Sequence, residues 1–334
     1  MSKIKHDLQK YKPTISICTP TFNRRPFIPY LIKCFEEQIY PKSHIEWIIV
    51  DDGTDPIGDL VQNIHQVKYF YFPEKMSLGK KRNIMNSKCS NEIIIYMDDD
   101  DYYPPLRILH AVISLVQNPE FLCAGCSRLP IFYKSPKEQL ITTGPFGKYH
   151  ATAATFAFRK ELLKECSYDE EKIFGEESGF LKDYTVPLFQ LDPFKTIMVY
   201  PHPNNSIDKQ FIIKNPIENY VKFYKEKLDK YVVNKEYHDF ILNGNEFLTN
   251  YKEGNVDQKE DILQEMEIRK QKKKEKFEKN QQEFEDSIKK LSEQLETKTN
   301  KELIQIVCSL QVQNTKLERA VKKLKNYIQS QNLL

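Results

Sequence analysis

Along the first two-thirds of the chain, short continuous apolar runs alternate with stretches whose apolar residues recur every three or four positions. Runs at residues 14–19, 45–50, 67–72, 92–97 and 120–126 have strand length and are rich in β-branched side chains. Between them, residues 26–37, 57–64, 79–88 and 104–117 carry the helical spacing. Strands that are apolar on both faces and separated by helices predict a mostly parallel central sheet with helices on both faces, a Rossmann-like α/β domain. A later apolar run, 196–200, predicts one more strand. In such a sheet ligands gather beyond the carboxyl ends of the strands, so the chemistry is expected immediately after each run. There the chain carries Pro20-Thr21-Phe22-Asn23-Arg24, Asp51-Asp52-Gly53-Thr54-Asp55 and Asp98-Asp99-Asp100-Asp101-Tyr102-Tyr103.

The pattern changes near residue 255. All 18 prolines lie at or before Pro216, and the last glycine is Gly254. Beyond that glycine the chain is an unbroken run of helix formers rich in Lys, Glu, Gln and Leu. Phe277, Phe284, Ile288, Leu291 and Leu295 form one apolar series at helical spacing, and Ile306, Leu310, Leu317, Val321, Leu324 and Ile328 form another. The polar stretch 296–302 breaks the register between them. Two parts are therefore expected: an α/β domain over residues 1–240 and a helical extension over 255–334 with coiled-coil character. The extension would serve either as an oligomerisation or docking helix or as a layer packed back onto the domain.

Composition narrows the classes further. With 40% hydrophobic and 29% charged residues the chain reads as folded and soluble. Its 50 basic residues nearly cancel 47 acidic ones, and a net charge of +3 gives no footing for a nucleic-acid partner or an anionic membrane. Seven scattered cysteines make an odd set, not a disulfide framework, and fit a reducing compartment. Cys123-Ala-Gly-Cys126 has no second cysteine pair and sits in a strand pattern, so it reads as core, not as a zinc site. No apolar run approaches the roughly 18 to 20 residues that span a bilayer, and the first residues lack a signal peptide's apolar core. The expectation is a cytoplasmic protein without a transmembrane segment.

The four consecutive aspartates 98–101 are the costliest feature in the chain. Side chains alternate along an extended segment, so Asp98 and Asp100 can point the same way. Like charges that close raise each other's pKa, and a divalent cation relieves them; hard oxygen ligands suit Mg²⁺ or Mn²⁺. A solvated acidic loop leading into the next helix is the plainer alternative. The position at the end of an apolar strand favours the ion.

Four segments appear in order: Ile17-Cys-Thr-Pro-Thr-Phe-Asn-Arg24, Ile48-Ile-Val-Asp-Asp-Gly-Thr-Asp55, Gly79-Lys-Lys-Arg-Asn83 and Tyr96-Met-Asp-Asp-Asp-Asp-Tyr-Tyr-Pro104. Together they resemble the inverting family 2 glycosyltransferases of the GT-A fold, over roughly residues 13 to 210. The resemblance implies a nucleotide-sugar donor, with uridine diphosphate as the nucleotide, a Mn²⁺ or Mg²⁺ cofactor, and transfer to a hydroxyl of a glycan, protein, lipid or small molecule. By the same resemblance Asp100 is the principal metal ligand, and Asp98 lies by the ribose and the ion, with Asp99 beside it in the Asp-x-Asp motif. Asp52 matches the base-recognising aspartate, Pro20 and Thr21 the turn that touches the nucleotide, and Arg82 a basic residue near it; Lys80 and Lys81 are weaker candidates. His202, in Tyr200-Pro-His-Pro-Asn204, matches a position that some of these enzymes use as a further metal ligand.

The family's acceptor-deprotonating carboxylate sits in a Glu-Asp pair at a helix start. Here Phe174-Gly-Glu-Glu-Ser-Gly-Phe180 offers Glu177 at that position, one methylene longer than aspartate, with Glu176 as the other candidate. An acidic first helical turn, favourable with the helix dipole, is the structural reading of the same pair. Among rivals, Asp51-Asp52-Gly53-Thr54 is similar to a haloacid-dehalogenase motif, but its nucleophile would fall on Val50. No Gly-x-Gly-x-x-Gly follows the first strand, which weakens a dinucleotide oxidoreductase. A catalytically inactive transferase-like domain acting as a coiled-coil scaffold is the remaining alternative.

Overall fold

The computed structural model describes residues 12–134, 137–173, 175–202, 204–205, 209, 212–213, 220–255 and 259–296, with isolated positions at 302, 305, 309, 311, 313, 314 and 318. The chain divides into two compact units, Met1–Leu263 and Gln264–Leu334.

Ten strands are present among the described residues: β1 (Ile15–Thr21), β2 (Ile45–Asp51), β3 (Val67–Tyr71), β4 (Ile93–Tyr96), β5 (Cys123–Gly125), β6 (Leu129–Tyr133), β7 (Gln139–Thr143), β8 (Ala157–Arg159), β9 (Leu188–Gln190) and β10 (Val221–Tyr224). Seven of them form the central sheet in the order β3-β2-β1-β4-β8-β5-β9, and β10-β7-β6 make a second, small sheet. β1 and β2 are buried at every position, as a central strand covered on both faces must be. Successive residues of β4 part to opposite sides, Ile93 and Ile95 into one apolar core and Ile94 and Tyr96 into the other. That two-residue alternation is why a four-residue strand reads as uninterrupted hydrophobic sequence.

Helices α1 (Ile28–Glu36), α2 (Gly58–Val61), α3 (Leu78–Lys88) and α4 (Arg107–Gln117) connect the parallel strands. α4 buries Ile108, Ala111, Val112 and Leu115 on one stripe, the spacing of a face laid on a sheet. Later come α5 (Glu177–Phe180), α6 (Lys235–Asn243), α7 (Asn245–Asn250) and α8 (Glu260–Glu296). The expected mostly parallel α/β architecture is what the structure has. β1 pairs in parallel with β2 and β4, β2 with β3, and β5 with β9.

Two features differ from the sequence reading. β8 runs antiparallel to both β4 and β5. Between β5 and β8 the described residues hold β6, β7 and a 3-10 turn, Ala153–Thr155, but no α-helix, the usual crossover that carries a chain back parallel. Residues 196–200 are buried throughout but form no strand; they contribute two isolated bridges, Tyr102↔Met198 and Ile131↔Val199. Their apolar run reports burial, not a ladder.

Chain direction reverses beside β1: the connection runs outward through β2 and β3, then returns to place β4 on the other side. The loops after β1 and β4 diverge at this switch point and leave a crevice. Trp47 braces it from below. Its ring is fully buried, 4.8 Å from Phe35, and its indole N–H donates to Thr19 Oγ1 at 2.9 Å, which in turn donates to Met97 O at 2.7 Å.

In α8, Phe277 and Phe284 are mostly exposed. The side chains of Ile288, Leu291 and Leu295, and the series from Ile306 to Ile328, lie outside the described residues. None of the helices described is long and apolar enough to cross a membrane.

Candidate active site

The turn after β1 is shaped by Asn23, which takes a left-handed φ of 52°, a conformation asparagine tolerates better than most residues. Its side-chain oxygen accepts from the Asp55 N–H at 3.1 Å, and its amide donates to Thr54 Oγ1 at 3.1 Å and Glu253 O at 2.7 Å. The loops after β1 and β2 are thereby fastened together. Asp51 is structural: its carboxylate accepts from Gly53 N, Ile57 N and the Tyr69 hydroxyl at 2.9, 3.0 and 2.7 Å. Asp52, equally buried, is different. It forms an ion pair with Lys81 and accepts from Met76 N at 2.7 Å, while Lys81 Nζ also donates to Thr21 O at 2.9 Å. Burial pushes the Asp52 carboxyl up and Lys81 pulls it back.

α3 delivers the cations. Ser77 caps it, accepting from Lys80 N, and its first turn lies against residues 168–172. Gly79 N donates to Lys172 O at 3.0 Å, and Asn83 exchanges hydrogen bonds with the backbone of Tyr168 at 2.9 Å each. A Cβ on Gly79 would stand 2.0 Å from the Asp169 carbonyl oxygen, so only glycine lets the helix dock this closely. Gly79→Ala is expected to cost about 2–3 kcal/mol in urea unfolding. The tilt it forces on α3 should also weaken whatever Lys81 and Arg82 support.

Arg82 is buried between two carboxylates. Nε donates to Glu176 Oε1 at 2.6 Å, and Nη1 and Nη2 donate to the two oxygens of Asp98 at 3.2 and 3.1 Å. Burial works against its charge, but Asp98 and Glu176 hold its pKa well above the ordinary value. Lys80 is exposed.

The four aspartates do not share one environment. Burial pushes Asp99 up to about 7, against Arg24 Nε 3.6 Å away, and pushes Asp101 well up, with Asp100 adding to it. Asp100 goes the other way: burial opposes its charge, yet His202 and Arg24 hold it well below the ordinary range. Asp98 is ion-paired with Arg82, while the charge favoured by its surroundings is that of Asp100. The latter receives Arg24 Nη2 at 3.5 Å, Asn205 Nδ2 at 3.4 Å and the ring Nε2 of His202 at 3.1 Å.

The His202 contact is frustrated. The Asn205 side-chain oxygen accepts from His202 N at 2.9 Å, which turns its NH₂ toward His202 Nε2 at 2.8 Å. If Nε2 is protonated, it faces the asparagine donor; if it is bare, it faces the Asp100 carboxylate. Burial lowers the ring's pKa to about 4, so a neutral ring must choose one of these conflicts. Nδ1 is buried and has no hydrogen-bond partner among the described residues. Among the described residues no group of three or more His, Cys, Asp or Glu is gathered around one metal-sized centre.

Glu176 and Glu177 open α5. Glu176 is taken up by Arg82. Glu177 is half-buried, and desolvation together with the Glu176 charge raises it to about 7.

A cavity of about 170 Å³ opens at the switch point. Pro20, Thr21, Asp98, Asp99 and Asp100, all expected at the site, line it. Asp52, Arg82 and His202 each stand behind a lining residue, namely Lys81, Asp98 and Asp100. Sequence reasoning does not reach Arg24, Lys75 and Lys259, which also line it. Arg24 is buried, with Nη1 unpartnered among the described residues; it closes the first motif, where the resemblance gives it no role. Lys259 carries no signal at all. It is 3% exposed, and burial draws its ammonium down to about 7.

Residues 16–168 match the model of glycosyl transferase family 2. Over this segment the chain is similar to that family. An uncharacterized glycosyltransferase of Haemophilus influenzae is 30% identical over 111 residues, 32% of this chain and 44% of the relative. The poly(ribitol-phosphate) β-N-acetylglucosaminyltransferase TarS of Staphylococcus aureus is 27% identical over 100 residues, covering 26% of this chain and 16% of TarS. The chain spans less than half the length of these curated relatives. Among solved structures, residues 1–349 of TarS in complex with UDP-GlcNAc align with a TM-score of 0.44 at 21% identity, over 56% of this chain and 58% of that one. The mannosyltransferase PcManGT of Pyrobaculum calidifontis, in complex with GDP-Man and Mn²⁺, aligns with a TM-score of 0.46 at 17% identity, over 59% and 62%.

Proposed function

We propose that the protein is a metal-dependent, inverting glycosyltransferase that moves a sugar from a uridine diphosphate donor to an acceptor hydroxyl. One observation carries this reading: the segments that mark family 2 converge on a single cavity at the switch point between β1 and β4, and that cavity is lined by both signs of charge. A nucleoside diphosphate needs this mixture. Cations meet the phosphates, and carboxylates would hold a divalent ion that offsets their charge.

The residues fit a divalent cation. Asp100 Oδ2 and His202 Nε2 lie 3.1 Å apart, a spacing suited to neighbouring ligands of one small ion. An ion there would remove the clash between the Nε2 lone pair and the Asp100 carboxylate, leaving the Asn205 NH₂ to donate to Asp100 Oδ2. Two protein ligands are few, as expected for Mg²⁺ or Mn²⁺ completed by water and substrate phosphate. When bound, the ion would stabilise the departing diphosphate. The chain's own residues do the rest. Lys81, oriented by Asp52 and Thr21 O, closes the cavity behind the nucleotide. Arg82 fixes Asp98 through a two-pronged contact and is itself fixed by Glu176. Because Glu176 is committed to Arg82, Glu177 is the carboxylate left to take the acceptor's proton, and a pKa near neutrality suits that task.

The test is calorimetric titration of uridine diphosphate, with other nucleoside diphosphates beside it, in the presence and absence of Mn²⁺. Metal-strengthened binding of uridine diphosphate supports the reading. Absence of binding by every nucleotide in either condition overturns it and leaves the inactive scaffold.

A further inference from the structure

The cavity has a wall that the family 2 segment does not supply. Residues 251–255 and 259–262, which follow α7 and enter α8, lie across the loops after β1 and β2, and Lys259, Asp261 and Ile262 line the cavity. The Tyr251 hydroxyl donates to Asp55 Oδ2 at 2.7 Å, and Glu253 O accepts from Asn23 Nδ2 at 2.7 Å. Gly254 lies so close to Asn204 that a Cβ there would stand 2.3 Å from its amide nitrogen. Asp261 is ion-paired with Lys75, and Ile262 is buried.

Lys259 is the residue this anchoring positions. Its ammonium donates to Asn204 O at 2.9 Å and lies in the field of Arg24, Asp100 and Asp99. Burying a lysine is costly unless its charge is used. A carbonyl contact satisfies one N–H without neutralising anything, while the cavity beside it also holds the unpartnered Nη1 of Arg24. Lys259 and Arg24 both line this cavity, beside Asp99 and Asp100. An anion there would give both cations a counter-charge, and Lys81 lines the same cavity.

We propose that Lys259, held in the cavity wall by residues 251–255 and 259–262, binds the terminal phosphate of the donor's diphosphate. The inference rests on the nucleotide-sugar reading above. It makes the root of the C-terminal helix a working part of the transferase site, independent of any role in oligomerisation.

The experiment compares Kd for uridine diphosphate and uridine monophosphate, with Mn²⁺, in the full-length protein and in Lys259→Met, Lys259→Arg and Lys270→Met. Lys270 is an exposed control. Loss of one charged phosphate contact predicts that Lys259→Met weakens the diphosphate about tenfold or more and the monophosphate less than about threefold. Lys259→Arg should recover most of the loss, and Lys270→Met should change neither. Equal weakening of both nucleotides, or no weakening, overturns the proposal. If the unaltered protein binds neither nucleotide, the donor reading has failed first, a result visible without any variant. Should Lys259→Met not fold, amine labelling of the unaltered protein decides. Protection of Lys259 by the diphosphate beyond that by the monophosphate supports the assignment, and equal or absent protection overturns it.

Discussion

Asp100→Ala is expected to lower kcat for sugar transfer by about a thousandfold or more while leaving the protein folded. Asp100 is where the positive groups of the cleft meet: Arg24, His202 and Asn205 all point at one of its oxygens. Its pKa is held well below the carboxylate range, so it stays ionised at any working pH. Removing it deletes one of the two protein ligands proposed for the ion. The fold should tolerate the loss because Arg24 keeps Asp99 at 3.6 Å and the asparagine–histidine contact survives. The variant should also lose the Mn²⁺ dependence of nucleotide binding, measurable by titrating the metal with uridine diphosphate present. Asp100→Asn, which keeps the shape but not the charge, should fail nearly as badly. Full activity in either variant would move the ion elsewhere.

Much of this arrangement is legible in the chain's own pattern. β1, β2 and β4 announce themselves as continuous apolar runs because both their faces are covered, and the residues beyond them are chemical because loops at a switch point diverge. β8 is not legible. Its three residues, Ala157–Arg159, are too few for a period, and its reversed direction follows a connection from β5 in which the described residues form β6, β7 and a 3-10 turn but no helix. The run at 196–200 misleads for the opposite reason, since its burial is real but its hydrogen bonds go to two separate neighbours. In the candidate site, Asp52, Asp98 and Asp100 can be singled out from local sequence, but their pairings cannot. That Asp98 is held by Arg82, and Asp52 by Lys81, depends on where α3 docks, which Gly79 and the Asp169 carbonyl decide. Lys259 is invisible because composition assigns its segment to the helical extension, while its side chain is buried at the cavity of the α/β domain.

Glu177→Gln is expected to lower kcat by about a hundredfold to ten-thousandfold with little change in the Kd for uridine diphosphate. The pH dependence discriminates between a base and an acidic helix start. Burial and the Glu176 charge raise Glu177 to about 7 from the ordinary carboxylate value, so the ionised form needed for proton removal accumulates as pH rises through neutrality. The rate of the unaltered enzyme should climb over that interval, and the residual rate of the variant should not. Stability carries the opposite sign. A carboxyl whose folded pKa is raised favours the folded state while protonated in it, and that contribution is lost as pH increases from the unfolded value of about 4.5 through about 7. Glutamine does not ionise, so Glu177→Gln should melt higher than the unaltered protein at pH 8 and about equally at pH 5. A residue kept only for its favourable interaction with the start of α5 would behave otherwise, since its loss would lower the melting temperature at pH 8, where the carboxylate is charged. Glu176→Gln supplies the contrast. Glu176 compensates the buried Arg82 at 2.6 Å, so removing its charge should destabilise the protein at both pH values. Activity lost together with stability gained would therefore mark Glu177 as a carboxylate retained against the interest of the fold.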